Sequence, residues 1–174
     1  CHVGPFGLNA AAGGAEFVRC VDVSQTAIDL ARQNAELNGL ADRMDFTCAN
    51  VLEYLPELAG DRSKLKAEGG PFDLIILDPP AFTKTRDKVR SAIRGYKEIN
   101  AAAMKLLPRG GYLATCSCSH FMTRDLLAQA IAEAAHHTNV QLKQIEDRQQ
   151  APDHPILWGV PESHYLDFFI FQVI

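Results

Sequence analysis

The chain has 174 residues, 47% hydrophobic and 22% charged, with a formal net charge of −4. That balance excludes a disordered tail, which needs low hydrophobicity and high net charge, and no uncharged apolar run reaches the roughly 18 residues of a membrane helix. The length suits one domain, residues 1–174, and the net acidity leaves attraction to nucleic acid to local patches.

The elements follow in chain order. Cys1-His2-Val3-Gly4 reads as the end of a strand and lacks an initiator Met, so a fragment with a truncated first strand is expected. Residues 1–15 hold no Lys or Arg, which argues against a signal peptide. Phe6 to Ala12 predicts a short helix, and Phe17 to Val23 a strand. Ser24 suits the cap of a helix over Gln25–Asn38, stopped by Gly39. A strand follows over Met44–Ala49, then a helical stretch from Leu52 towards Glu68, broken near Pro56 and Gly60. Phe72 to Leu77 is apolar at nearly every position and predicts a strand buried on both faces. A helix over Lys88–Leu107 ends at Pro108-Arg109-Gly110-Gly111. Then come a strand at Tyr112–Cys116, a helix at Thr123–His137, a strand at Val140–Glu146, a proline-rich loop at Asp153–Ser163 and a closing strand at Tyr165–Val173. This βαβ alternation predicts a doubly wound, mostly parallel α/β sheet with helices on both faces, and ligands at the carboxyl ends of its strands.

Five points along the chain carry chemistry. The turn His2-Val3-Gly4-Pro5-Phe6-Gly7 would let backbone approach a ligand at a helix start, although a plain tight turn reads the same. It lacks the G-x-G-x-x-G dinucleotide pattern. Asp22, at a strand end, could accept both ribose hydroxyls of an adenosine cofactor or simply cap the next helix. Asn50 occupies the matching place on the next strand, suited to an adenine edge or to a turn. Asp78-Pro79-Pro80-Ala81-Phe82 removes two N–H donors, leaves carbonyls free, and suits a flat base bearing an amino group. Between Lys84 and Lys97, six cations stand against Asp87 alone, a +5 strip suited to phosphates or to a solvated helix face.

The cysteines divide. Five of them make an odd set for disulfides and point to a reducing cytoplasm. Cys1, Cys20 and Cys48 lie in apolar strands and read as inert. Thr115-Cys116-Ser117-Cys118-Ser119-His120 leaves a strand end, where an exposed thiol can be a nucleophile. Residues two apart share a strand face, so periodicity does not choose between Cys116 and Cys118. Cys118 lies past the apolar strand between two serines, and context favours it. No metal site is expected.

Together these residues resemble the class I S-adenosylmethionine-dependent methyltransferases. More narrowly they resemble the bacterial large-subunit rRNA cytosine-5 methyltransferases of the RlmI type, across essentially the whole chain. The resemblance rests on Asp78-Pro79-Pro80 with Phe82, Arg94-Gly95-Tyr96-Lys97 with Ile99-Asn100, and Ser117-Cys118-Ser119. Asp153-His154-Pro155 and Pro161-Glu162 with Tyr165-Leu166 also fit. It implies S-adenosylmethionine as cofactor, with His2, Gly4, Phe6 and Gly7 in its turn, Asp22 at the ribose, Asn50 on the adenine side, and Val23, Val51 and Asp78 as further contacts. Cys118 and Asp78 would be catalytic. Pro79, Phe82, Lys84, Arg90, Arg94 and Lys97 would meet the substrate, an RNA and specifically large-subunit (23S) rRNA. A homodimer stays open, and no membrane partner is implied. Three positions depart from the family pattern: Ala81 replaces a usual Lys, Asn50 a common acid, and Asp167 a usual basic residue. The resemblance also implies an N-terminal RNA-binding PUA domain and a β-rich linking domain, which these 174 residues are not expected to include.

The implied chemistry is addition of a thiolate to carbon 6 of cytosine, which makes carbon 5 nucleophilic enough to accept a methyl group. Two alternatives stand beside it. One is methylation of an exocyclic amine at the Asp-Pro-Pro-x-Phe turn, and the other is a non-catalytic RNA-binding module with the same fold.

Overall fold

The computed structural model describes residues 1–82 and 88–174 as two compact units, Cys1–Glu57 and Leu58–Ile174. In the first unit, α1 (Pro5–Ala12), β1 (Val18–Asp22), α2 (Gln25–Leu37) and β2 (Met44–Cys48) follow in order, and α3 (Val51–Gly60) begins. Strands β1 and β2 pair in parallel, Val18 against Met44 through Asp22 against Cys48. The expected cap of α2 forms, with Ser24 Oγ accepting the Ala27 N–H at 3.3 Å. Ala27, Ile28, Ala31 and Ala35 fall on one face of α2 and are buried, the small side chains allowing close approach. A core of Ala11, Cys20, Ala35 and Met44 joins α1, α2 and the two strands.

The second unit carries α4 (Arg62–Ala67), β3 (Leu74–Leu77), α5 (Val89–Leu106), β4 (Tyr112–Ser117), α6 (Arg124–Thr138), β5 (Leu142–Gln149) and β6 (Asp167–Val173). Its four-stranded sheet has the order β3-β4-β6-β5. Strand β3 runs parallel to β4, while β6 runs antiparallel to both β4 and β5. Pairing with β4 starts at Leu74↔Tyr112, and the β4–β6 ladder ends at Ser117↔Asp167. Helix α5 turns Ala92, Tyr96, Ile99 and Ala103 inward, and α6 does the same with Leu127, Ala130, Ile131 and Ala134. Leu113 and Phe169 anchor the sheet side of this core. Among the described residues no helix is long and apolar enough to cross a membrane.

Three boundaries and one burial pattern differ from expectation. Pro56 does not break the helix: α3 runs through it to Gly60, and the break falls at Asp61, whose Oδ1 accepts the Ser63 and Lys64 N–H groups at 2.8 and 3.0 Å. Proline forfeits one intrahelical bond there without unwinding the turn. Strand β3 is not buried on both faces, because Leu74 at its start is 47% exposed. Strand β5 starts and ends later than its apolar pattern, continuing through Glu146, Asp147 and Arg148. It pairs with β6 alone, and an edge strand accepts charged residues that a central one would not. The closing strand begins at Asp167 rather than Tyr165.

Candidate active site

In the first unit, the turn Cys1–Gly4 is closed by the Gly4 N–H on the Cys1 carbonyl at 3.0 Å. Gly4 has φ +86, and a Cβ there would also lie 3.2 Å from the Ala31 Cβ, so backbone conformation and helix approach both require glycine. Gly7 serves a different purpose. Its bare Cα faces the strands, where a Cβ would lie 2.5 Å from Cys20 Sγ. Phe6, one residue earlier, is 45% exposed.

Asp22 ends β1 and binds this turn from beneath. Its Oδ2 accepts the His2 N–H at 2.7 Å. Its Oδ1 accepts the Ser24 N–H at 3.0 Å. Burial raises the Asp22 pKa, and the hydrogen bonds from the Ser24 and His2 N–H groups lower it. Beside it Val23 is 73% exposed, while Val51 is half-buried. Asn50 Oδ1 accepts the Leu52 N–H and its Nδ2 donates to Glu53 Oε1, both at 3.1 Å. That side chain is committed to starting α3. A positive-φ glycine turn, a carboxylate at the strand end and an exposed apolar residue beside it suit the sugar and base of an adenosine group.

In the second unit, β3 delivers Asp78 and β4 delivers Cys116 to the same edge. Cys116 Sγ donates to Asp78 Oδ1 at 3.2 Å and lies 3.5 Å from the Leu77 carbonyl. Cys116 is buried, and that burial, followed by the Asp78 carboxylate and its hydrogen bond, pushes the thiol far above the ordinary range. Cys118 is exposed. Between them, Ser117 Oγ accepts the Tyr96 hydroxyl at 2.8 Å and the Ser119 N–H at 3.2 Å. Burial pushes Tyr96 up to about 12; the Ser117 bond opposes this, and Cys118, Cys116 and Asp78 add to the rise.

Pro79 is buried and Asp78 exposed. Phe82, expected to hold a base, packs its ring edge-on to Tyr96 at 4.8 Å and lies over Gly95, where a Cβ would meet it at 3.4 Å. That packing explains the small-aromatic pair in Arg94-Gly95-Tyr96-Lys97. Arg90 and Arg94 are exposed on α5, whereas Lys97 pairs with Glu133 of α6 at 3.2 Å. Lys84 lies outside the described residues. Asp167 is buried opposite Ser117, and its carboxyl is raised by burial, with His164 Nε2 at 3.4 Å opposing the rise. Among the described residues no group of three or more His, Cys, Asp or Glu is arranged to hold a metal ion. The Tyr96–Ser117 pair escaped sequence reasoning; an aromatic hydroxyl on the apolar face of α5 was its only signal.

A family model described as S-adenosylmethionine-dependent methyltransferase matches residues 1–161. The chain is 41% identical over 174 residues to ribosomal RNA large subunit methyltransferase I of Erwinia tasmaniensis, covering 99% of this chain and 42% of that protein. The protein of the same name from Aeromonas hydrophila is 42% identical over 167 residues, 95% of this chain and 40% of its own. The chain thus spans about two fifths of the length of these relatives. Among solved structures, SMU.776 complexed with SAH superposes with a TM-score of 0.79 at 20% identity, over 97% of this chain and 42% of that one. That likeness shows the fold.

Proposed function

The chain belongs to the S-adenosylmethionine-dependent methyltransferase family, and on that premise we propose that it methylates carbon 5 of a cytosine in large-subunit rRNA, with Cys118 as nucleophile. S-adenosylmethionine supplies the electrophilic methyl group. Gly4 and the turn around His2 and Phe6 would admit the cofactor, Asp22 would accept from its ribose, and Val23 and Val51 would offer apolar surface to its adenine. The Cys118 thiolate adds to carbon 6, and the ring's electrons then make carbon 5 the attacking atom. After methyl transfer the carbon-5 proton leaves to a base, and the carbon–sulfur bond breaks to return the thiolate. Asp78 is the acid beside ring N3. The target base must be unstacked from its neighbours to reach such groups.

The observation that carries the reading is the contrast between two cysteines two residues apart. Cys116 is buried with its proton held towards Asp78, while Cys118 is exposed beyond the end of the ladder. RNA containing 5-fluorocytosine cannot lose the substituent at carbon 5, so it should trap a covalent adduct on Cys118 when S-adenosylmethionine is present. Peptide mapping of that adduct is the test. Methylation by Cys118→Ala with no adduct would replace the reading with methylation of an exocyclic amine at Asp78-Pro79-Pro80.

A further inference from the structure

The β4–β6 ladder ends at Ser117↔Asp167, so Cys118 is the first residue past the strand. Its placement therefore depends on what holds its neighbours. Ser117 is 1% exposed, and its Oγ receives two hydrogen bonds that bracket residue 118: the Tyr96 hydroxyl at 2.8 Å and the Ser119 N–H at 3.2 Å. Beyond it, the Met122 N–H on the Ser119 carbonyl at 2.9 Å closes the following turn. Tyr96 reaches this oxygen from α5 with 0% exposure, and its ring is itself fixed edge-on against Phe82. The hydroxyl has one proton, and it is spent on Ser117. A phenylalanine would fill the same space, so what tyrosine adds at residue 96 is that bond.

We propose that Tyr96 is a positioning residue: through Ser117 Oγ it fixes the backbone on both sides of Cys118 and thereby aims the thiol. The proposal rests on Cys118 being the nucleophile. A buried hydroxyl pair bridging α5 and the last residue of β4 transmits the rigidity of the helix to the first residue past the strand. Reacting groups displaced by about 1 Å can lose on the order of 100-fold in rate, so a clamp of this kind acts on kcat rather than on cofactor binding.

Tyr96→Phe and Ser117→Ala remove the clamp from its two ends, and Ser117→Thr restores the acceptor oxygen. In the full chain, the rate of iodoacetamide alkylation of Cys118 at one fixed pH is followed by peptide mass spectrometry. Cys48, which its apolar strand suggested was inert but which is exposed in the other unit, is the internal reference. The expected result is a changed Cys118 rate in both variants, an unchanged Cys48 rate, and the wild-type rate in Ser117→Thr. With rRNA as substrate, kcat should fall about 10- to 100-fold while the KM for S-adenosylmethionine stays within about twofold, and Ser117→Thr should keep the wild-type kcat. An unchanged Cys118 rate in Tyr96→Phe and Ser117→Ala overturns the clamp, whether or not kcat falls. Wild-type methylation by Cys118→Ala overturns the nucleophile reading instead. The two failures are distinct because alkylation needs no methyl transfer.

Discussion

Cys116 Sγ donates its proton to Asp78 Oδ1 at 3.2 Å, joining the ends of β3 and β4 through a thiol that cannot readily ionise. Burial is the larger cause and the carboxylate the second. A thiolate is the reactive form, so Cys116 should stay inert across the neutral range. We expect iodoacetamide at pH 8 to label Cys118 and leave Cys116 unlabelled. Cys116→Ala should retain most methylation at a stability cost of about 1–2 kcal/mol for the lost hydrogen bond and packing. Preferential labelling of Cys116 in the folded chain would reverse the two assignments.

The sequence places Asp78 and the cysteines at the ends of two strands, and those strands are paired neighbours, but it does not describe the contacts between them. Ser24 and Gly39 bound α2 through local chemistry, and Cys118 stands apart from Cys116 because the apolar run stops first. Such signals span a few residues. The Tyr96–Ser117 bond joins positions 21 apart, and a hydroxyl on the apolar face of α5 does not say which oxygen it meets. Asn50 and Phe82 show a second reason. Each residue type fits two jobs, adenine contact or helix start, base contact or brace, and local sequence does not choose between them. Strand β5 shows a third, since edge position permits charges that erase the alternation read as strand.

Gly7 is required by packing rather than by the turn that precedes it. A Cβ would lie 2.5 Å from Cys20 Sγ and 3.2 Å from both Met44 Cε and Val18 Cγ1. Gly7→Ala should therefore destabilise the chain by about 1–3 kcal/mol through overpacking. Cys20→Ala should relieve part of that loss, giving a favourable coupling in a double-mutant cycle of urea midpoints. Additive losses would mean that α1 shifts as a body instead of pressing on Cys20.

Asp22 should make stability depend on acid pH. Against the opposing effect of burial, hydrogen bonds from the Ser24 and His2 N–H groups lower its folded pKa. A depressed carboxylate contributes stability that is present above the unfolded pKa and lost as pH falls through the folded one. Asp22→Asn should thus be less stable than wild type by about 1–2 kcal/mol at pH 6, the scale of hydrogen bonds to a charged group, and the gap should close as pH falls below the ordinary carboxylate range. Urea titrations at pH 6 and at low pH measure it. A gap that does not narrow would show that the ionised form is not what the turn needs.

Arg90 and Arg94 stand one helical turn apart on the exposed side of α5, while Lys97, a further three residues along, is already paired with Glu133. Hydrogen bonds from Gln129 and then Lys97 hold the Glu133 carboxyl below its usual range, so that acceptor is ionised and engaged. If α5 meets RNA phosphates, the two arginines should contribute in full and Lys97 less, because its charge is partly compensated before RNA arrives. Arg90→Ala with Arg94→Ala should weaken rRNA binding and flatten its salt dependence by roughly one unit of log–log slope per lost contact. Lys97→Ala should change the slope by less than either arginine. Fluorescence anisotropy over a salt series reads this directly, and the affinity for S-adenosylmethionine, measured by calorimetry on the same variants, should not move. A slope that is unaltered in the double variant would reduce this face of α5 to a solvated surface. An equal effect of Lys97→Ala would show that RNA displaces Glu133.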